Sequence, residues 1–234
     1  MHSWKTTTIG VLGAAALLTA CGDDAEGFAD RPVAEILEET EADMRALDSL
    51  RLSGDIVADG QQVSIDMAIS TDGDCAGSIG QGGASAEIIS VGGESFMKPD
   101  EAFWEQMGGP QASTIIELVG DRWVAMPPEQ ADFSEFCNLD QLLDEMDDGG
   151  DDGGAEVEGT EELDGRQAVR LSTTSDEDEP VTVWVAADDP HVILQMEVSE
   201  GDEPGTLRFS DFDEAIDVQA PDGDEVVDLA ELGG

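Results

Sequence analysis

The chain has 234 residues, 40% of them hydrophobic, with 56 Asp and Glu against nine Lys and Arg for a formal net charge of −47. That length suits one domain, or at most two small ones, and the apolar fraction is ample for a core. The charge excludes nucleic acid as a partner, because its phosphates would be repelled.

The N-terminus reads as an export segment. Lys5 precedes an apolar stretch from Ile9 to Leu18, which is too short for a permanent membrane span of ~20 residues and is followed by small residues. Leu18-Thr19-Ala20 runs directly into Cys21, a pattern that resembles a bacterial lipoprotein lipobox. The resemblance implies cleavage after residue 20 and a diacylglyceryl thioether on Cys21. The membrane is then a partner through this lipid anchor, on the extracytoplasmic face. The expected organisation is a leader over residues 1–20, an acidic tether over 21–30 and a single domain over 31–234. No acidic residue lies in the leader, so the exported part carries all the negative charge. Such charge keeps a protein soluble but pushes its fold apart, and an anionic membrane surface would repel it. Salt screens that repulsion, with a Debye length of about 3 Å at 1 M, so an acidic, halophilic protein working in a salty medium is expected.

Val33, Ile36, Leu37, Thr40, Met44 and Leu47 recur at helical spacing, with Glu35, Glu38, Glu39, Glu41 and Asp43 on the other face; this is an amphipathic helix. Asp30 is placed to cap it, with Pro32 in its first turn. Strands follow. Leu50–Ala58 leads through Asp59-Gly60, a hairpin dipeptide, into Val63, Ile65, Met67 and Ile69, which alternate with polar or small residues. Period two marks a strand with one buried face. Further strands are expected at Cys75–Gly80, Glu87–Val91 and Ser95–Lys98, joined by tight turns in an antiparallel meander. Glu101–Met107 and Ala112–Val119 read as helices and Trp123–Met126 as extended. Leu139–Met146 reads as a short helix with Asn138 as its cap. Asp147–Ala155 is a low-complexity acidic loop that buries nothing. Strand patterns resume at Glu156–Leu163, turn at Asp164-Gly165, and continue through Val169, Val181–Val185, Val192–Val198 and Leu207–Phe209. The acidic tail offers Val226, Val227, Leu229 and Leu232 for docking. About nine or ten strands with three or four helices fit an α+β fold, one large antiparallel sheet covered on its inner face by helices.

With Cys21 assigned to lipid, Cys75 and Cys137 remain, and an exported pair is expected to form a disulfide. Closing a loop of 62 residues stabilises by roughly 4 kcal/mol in the chain-entropy model. The histidines are His2, in the leader, and His191, read as a turn residue beside Pro190. Neither a Gly-x-Ser-x-Gly elbow nor a phosphate loop occurs, and carboxylates are too numerous for any pair to mark a glycosidase. No enzyme activity, cofactor or metal is expected. Asp72-Gly73-Asp74, Asp147-Asp148 with Asp151-Asp152, and Asp222–Glu225 offer oxygen ligands that suit calcium but lack the full EF-hand spacing. Trp104, Trp123 and Trp184 read as core or rim residues.

Short stretches carry a wider resemblance. They are Ser53-Gly54-Asp55-Ile56, Asp72-Gly73-Asp74-Cys75 leading to Ser78-Ile79, Val91-Gly92-Gly93 leading to Phe96-Met97-Lys98, Asp100–Trp104, Phe136–Asp140 and Phe209–Phe212. Together they resemble the actinobacterial LppX/LprG lipoproteins. The resemblance implies a curved half-barrel similar to LolA and LolB, helices on its concave face, and an apolar cavity that takes a lipid or acylated molecule, with a role in envelope lipid trafficking. It brings no catalytic residue. This chain is far more acidic, its Asp147–Gly154 loop looks inserted, and an anionic headgroup would be repelled. Val33, Ile36, Leu37, Met44, Leu47, Val63, Ile65, Met67 and Ile69 are the expected cavity lining. The rival expectations are a surface lipoprotein with a filled core and no ligand, or a calcium-dependent surface protein. The sequence sets no oligomeric state.

Overall fold

A computed structural model describes residues 27–58, 60–126, 137–148, 154–175, 179–201 and 203–228. The leader, Cys21, Asp59, Asp151, Asp152, Leu229 and Leu232 lie outside the described residues.

Alternation along each strand makes one open, curved sheet. Its strands are β1 (Ser49–Ala58), β2 (Gln61–Ser70), β3 (Cys75–Gln81), β4 (Ala84–Val91), β5 (Glu94–Pro99), β6 (Trp123–Met126), β7 (Glu156–Leu163), β8 (Arg166–Thr174), β9 (Pro180–Ala186), β10 (Ile193–Val198), β11 (Gly205–Ser210) and β12 (Val226–Asp228). The order across the sheet is β12-β6-β5-β4-β3-β2-β1-β11-β10-β9-β8-β7. Two meanders, β1 to β6 and β7 to β11, meet where Leu52 pairs with Phe209. Asp164 and Gly165 turn β7 into β8 with φ of 50° and 86°, the left-handed pair a two-residue hairpin needs. Close strand approach on the concave side requires glycine. A Cβ on Gly205 would come within 2.6 Å of Ile56 Cα, and one on Gly77 would collide with the Asp66 carbonyl.

The tail differs from its expectation of simple apolar docking. Val226–Asp228 adds as an edge strand running parallel to β6, whereas the other strand pairings among the described residues are antiparallel. Val227 is buried there.

Among the described residues the α-helices that accompany the sheet are α1 (Val33–Met44), α2 (Glu101–Met107), α3 (Ala112–Val119) and α4 (Leu139–Asp148). At one end α2 packs on β4 and β5, and Trp104, Val119 and Val124 form a small core. Asp100 caps α2, accepting from the Phe103 N–H at 2.7 Å and from the Ser85 N–H and hydroxyl at 2.9 and 2.8 Å. Asn138 caps α4 by accepting from the Gln141 N–H at 3.0 Å. The Cys75–Cys137 disulfide, with Cα atoms 5.3 Å apart, pins the start of α4 over the sheet centre, where Leu139 and Leu143 meet Met67, Ile69 and Ile88.

The start of α1 departs from expectation. Pro32, not Asp30, is its N-cap residue, and no side chain caps it. Residues 27–29 form their own helical turn, closed by the Arg31 N–H on the Phe28 carbonyl, so Asp30 is spent in that turn. The folded body consequently begins before residue 31. Phe28 is 1% exposed and packs with Ile36, Val169, Leu171 and Val185. Its ring stacks on His191 with centroids 3.7 Å apart. His191 thus sits at the bend after Pro190, as expected, and is buried there. Its Nδ1 hydrogen-bonds with the Ala186 carbonyl at 3.0 Å, and its backbone N–H donates to Asp43 on α1 at 2.6 Å.

Candidate functional site

The concave face is not filled evenly. Between α1, α4 and strands β8–β11 lies a cavity of about 550 Å³, within the ~300–1,000 Å³ range of small-molecule sites. Its wall comes from Leu37, Thr40 and Met44 on α1, Leu143 and Met146 on α4, and Leu171, Val181, Val183, Val185, Met196 and Leu207 on the sheet. The sheet contributes because inward residues recur at every second position: Val181, Val183 and Val185 all face the same side as Leu171. The helix contributes because Leu37, Thr40, Met44 and the exposed Glu41 lie three or four residues apart, along one stripe.

Leu37 and Met44, from the expected lining, are in this wall. The other seven lie elsewhere. Val33 and Ile36 pack into the Phe28 cluster that holds α1 to β8 and β9. Leu47, Met67 and Ile69 are in the central core, and Ile65 packs against it. Val63 is half-buried on β2, paired across to Ile56 and Gln81. The reason is the disulfide. It joins Cys75 on β3 to the start of α4, whose Leu139 and Leu143 pack over Met67 and Ile69, whereas the cavity lies between α1 and β8–β11. The strands that do line the cavity carry plain alternation in sequence. Their position beneath α1 follows from β11 pairing with β1, a contact between residues some 150 positions apart in the chain that spacing does not reveal.

Charge gathers at the opening. Exposed Glu38, Glu41 and Glu203 and half-buried Glu197 line the cavity together with a single cation, Arg45. Arg45 Nη1 pairs with Asp144 at 2.7 Å and its Nε with Glu41 at 3.0 Å. Hydrogen bonds donated to Asp144 first, then to Glu41, push the guanidinium further up from its ordinary value. The Asp144 pair bridges α4 to α1 across the gap. Exposed pairs of this kind contribute little to stability, so it orients the helices more than it stabilises them.

Among the described residues, no three His, Cys, Asp or Glu side chains are grouped to hold a metal ion. Asp74 accepts from the Gly92 N–H at 3.0 Å, which ties a turn to its neighbour. Asp222, Asp224 and Glu225 are exposed around a single 3-10 turn, Gly223–Glu225. Trp104 is buried at the α2 end, Trp123 is half-buried on β6, and Trp184 donates to Glu161. No described helix is long and apolar enough to cross a membrane.

The solved structure of LprF from Mycobacterium bovis superposes on this chain with a TM-score of 0.56 at 14% identity, covering 82% of this chain and 97% of LprF. The chain has the LprF fold. LppX from Mycobacterium tuberculosis matches at a TM-score of 0.47 and 15% identity over 80% of this chain and 98% of LppX. A LolA superfamily protein from Nitrosomonas europaea matches at a TM-score of 0.27 and 11% identity, over 81% and 96% of the two chains. The resemblance to the LppX/LprG lipoproteins is therefore one of fold. No family model matches the chain, and no curated protein matches it.

Proposed function

We propose that this protein is a lipoprotein, anchored through acylated Cys21 to the extracytoplasmic face of the membrane, that shelters an acyl chain between α1 and strands β8–β11. The cavity of about 550 Å³ with its aliphatic wall carries this reading. Removing a long hydrocarbon from water contributes ~25 cal/mol per Å² of apolar surface buried, which supplies affinity without any reacting group. No catalytic step belongs to this function. A holder of single lipids on the envelope surface suits lipid traffic between membrane and outer layers, and the acidic surface suits a salty medium.

The test is lipid analysis of the full-length protein, purified in mild non-ionic detergent and washed. A copurifying acylated molecule near one per chain is the expected result. A bare chain that also fails to take up added hexadecane would overturn the binding reading and favour a ligand-free surface protein. Mass analysis of the N-terminal peptide checks the anchor, since an unmodified Cys21 excludes it. A melting temperature indifferent to salt between 0.1 and 1 M NaCl would refute the halophilic part.

A further inference from the structure

The carboxyl-terminal halves of two helices meet at the cavity, and one guanidinium serves both. Arg45 is the C-cap residue of α1. It reaches across to Asp144 of α4 at 2.7 Å and back to Glu41 of α1 at 3.0 Å. The C-terminal end of a helix carries roughly half a negative charge, which a nearby cation offsets. α1 has that cation at its own end. α4 does not: from Asp144 it reads Asp-Glu-Met-Asp-Asp, with no base in its last turn. Asp140, Asp144 and Asp148 also recur at four-residue spacing, where like charges destabilise a helix. Among the described residues that line the cavity, Arg45 is the one cation. The end of α4 is thus disfavoured by its own charge and is steadied from the neighbouring helix.

The hold on α4 is uneven along its length. Leu139 is fully buried, Leu143 is 6% exposed, and the disulfide lies just before them. Met146, one turn further on, is only half-buried, and it walls the cavity together with Leu37 and Met44 of α1. Granted the acyl-binding function, on which this inference rests, we propose that the last turn of α4 is a gate on the cavity, latched by Arg45. When the ion pair to Asp144 parts, the turn frays, Met146 withdraws and an acyl chain passes. A weak latch suits this role, because an exposed pair opens readily, while the pinned start of α4 keeps its place.

Two readouts test the gate on the full-length protein in non-ionic detergent. One is amide hydrogen exchange over residues 144–148, which needs no guest. The other is the release of bound radiolabelled hexadecane into an excess of unlabelled hexadecane. At 0.1 M NaCl, Arg45→Gln should speed both by about threefold, the scale of one charge at a helix end. Glu145→Lys, at an exposed position, puts a base into the last turn and should slow both. Both variants should approach the parent at 1 M NaCl, where the Debye length is about 3 Å. Exchange around Leu139 should match the parent, which reports an intact fold. Exchange over 144–148 that is unchanged in both variants overturns the latch. Exchange that responds while release does not overturns the gate and leaves the acyl-binding function standing. A parent that takes up no hexadecane overturns that function and, with it, the gate.

Discussion

The two halves of the concave face have the same strand pattern and opposite outcomes. Over β1–β5 the inward residues Leu52, Met67, Ile69 and Ile88 are met by Leu139 and Leu143 from α4 and disappear into a core. Over β8–β11 the inward Val181, Val183, Met196 and Leu207 line the cavity beneath α1, with Met196 and Leu207 also touching the edge of that core. Apolar alternation thus decides which face of a strand turns inward, while the cover decides whether that face is packed or hollow. A covalent pin holds the first cover, and the second is held at its ends by the Phe28–Ile36 cluster and by Met44.

Breaking the pin gives the largest effect. Cys75→Ala with Cys137→Ala is expected to lower stability by about 4 kcal/mol, read from denaturant unfolding in molar salt, with hexadecane uptake retained while the protein is folded. Loss of uptake in parallel with stability would show that the halves are not independent. Truncation sharpens the contrast next. Leu139→Ala, at a site 0% exposed, should cost about 3 kcal/mol because it opens a void in packed surroundings. Leu37→Ala, half-buried on the cavity wall, should cost less than about 1 kcal/mol. Equal losses would contradict a hollow half.

A smaller effect belongs to the α2 cap. Burial alone would raise the Asp100 carboxyl, but hydrogen bonds from the Phe103 N–H and from Ser85 outweigh it and hold the group below its ordinary 3.8. A depressed carboxyl stabilises fully above that ordinary value and loses its contribution as pH falls through the folded value. Asp100→Ala should cost about 1 kcal/mol at pH 7, and the gap from wild type should narrow as pH falls from 3.8 through the lower folded value. A gap that persists there would assign the loss to packing. A similarly small change in stability is expected from Val183→Phe, which adds bulk to the hollow half. It should shift the melting temperature by only a few degrees, corresponding to about 1 kcal/mol, yet abolish hexadecane uptake. The same enlargement at Ala86, 1% exposed in the packed half, should destabilise by about 1–3 kcal/mol.

Much of this architecture is legible in the sequence because its signals are local. Val63 to Ile69 shows its period of two without any partner, Asn138 announces a cap, and two exported cysteines imply a bridge. The site is legible only in part. Leu37 and Met44 stand out on an amphipathic stripe, but which strands lie beneath them depends on β11 closing against β1, a long-range pairing with no local signature. Phe28 is hidden by its acidic neighbours: one aromatic residue in a polar stretch has no period, and only the ring of His191, far along the chain, gives it a place to stack.

Burial of Phe28 also sets a leash. Cys21 is seven positions earlier, and seven residues span at most roughly 25 Å however far they are drawn out. Phe28 packs against Leu171 and Val185, which are themselves part of the cavity wall. With Cys21 acylated as proposed, the hollow half would stay within a short step of the bilayer, while the far edge of the sheet, at β12, would be free to swing outward. A guest leaving the membrane would meet the hollow end first.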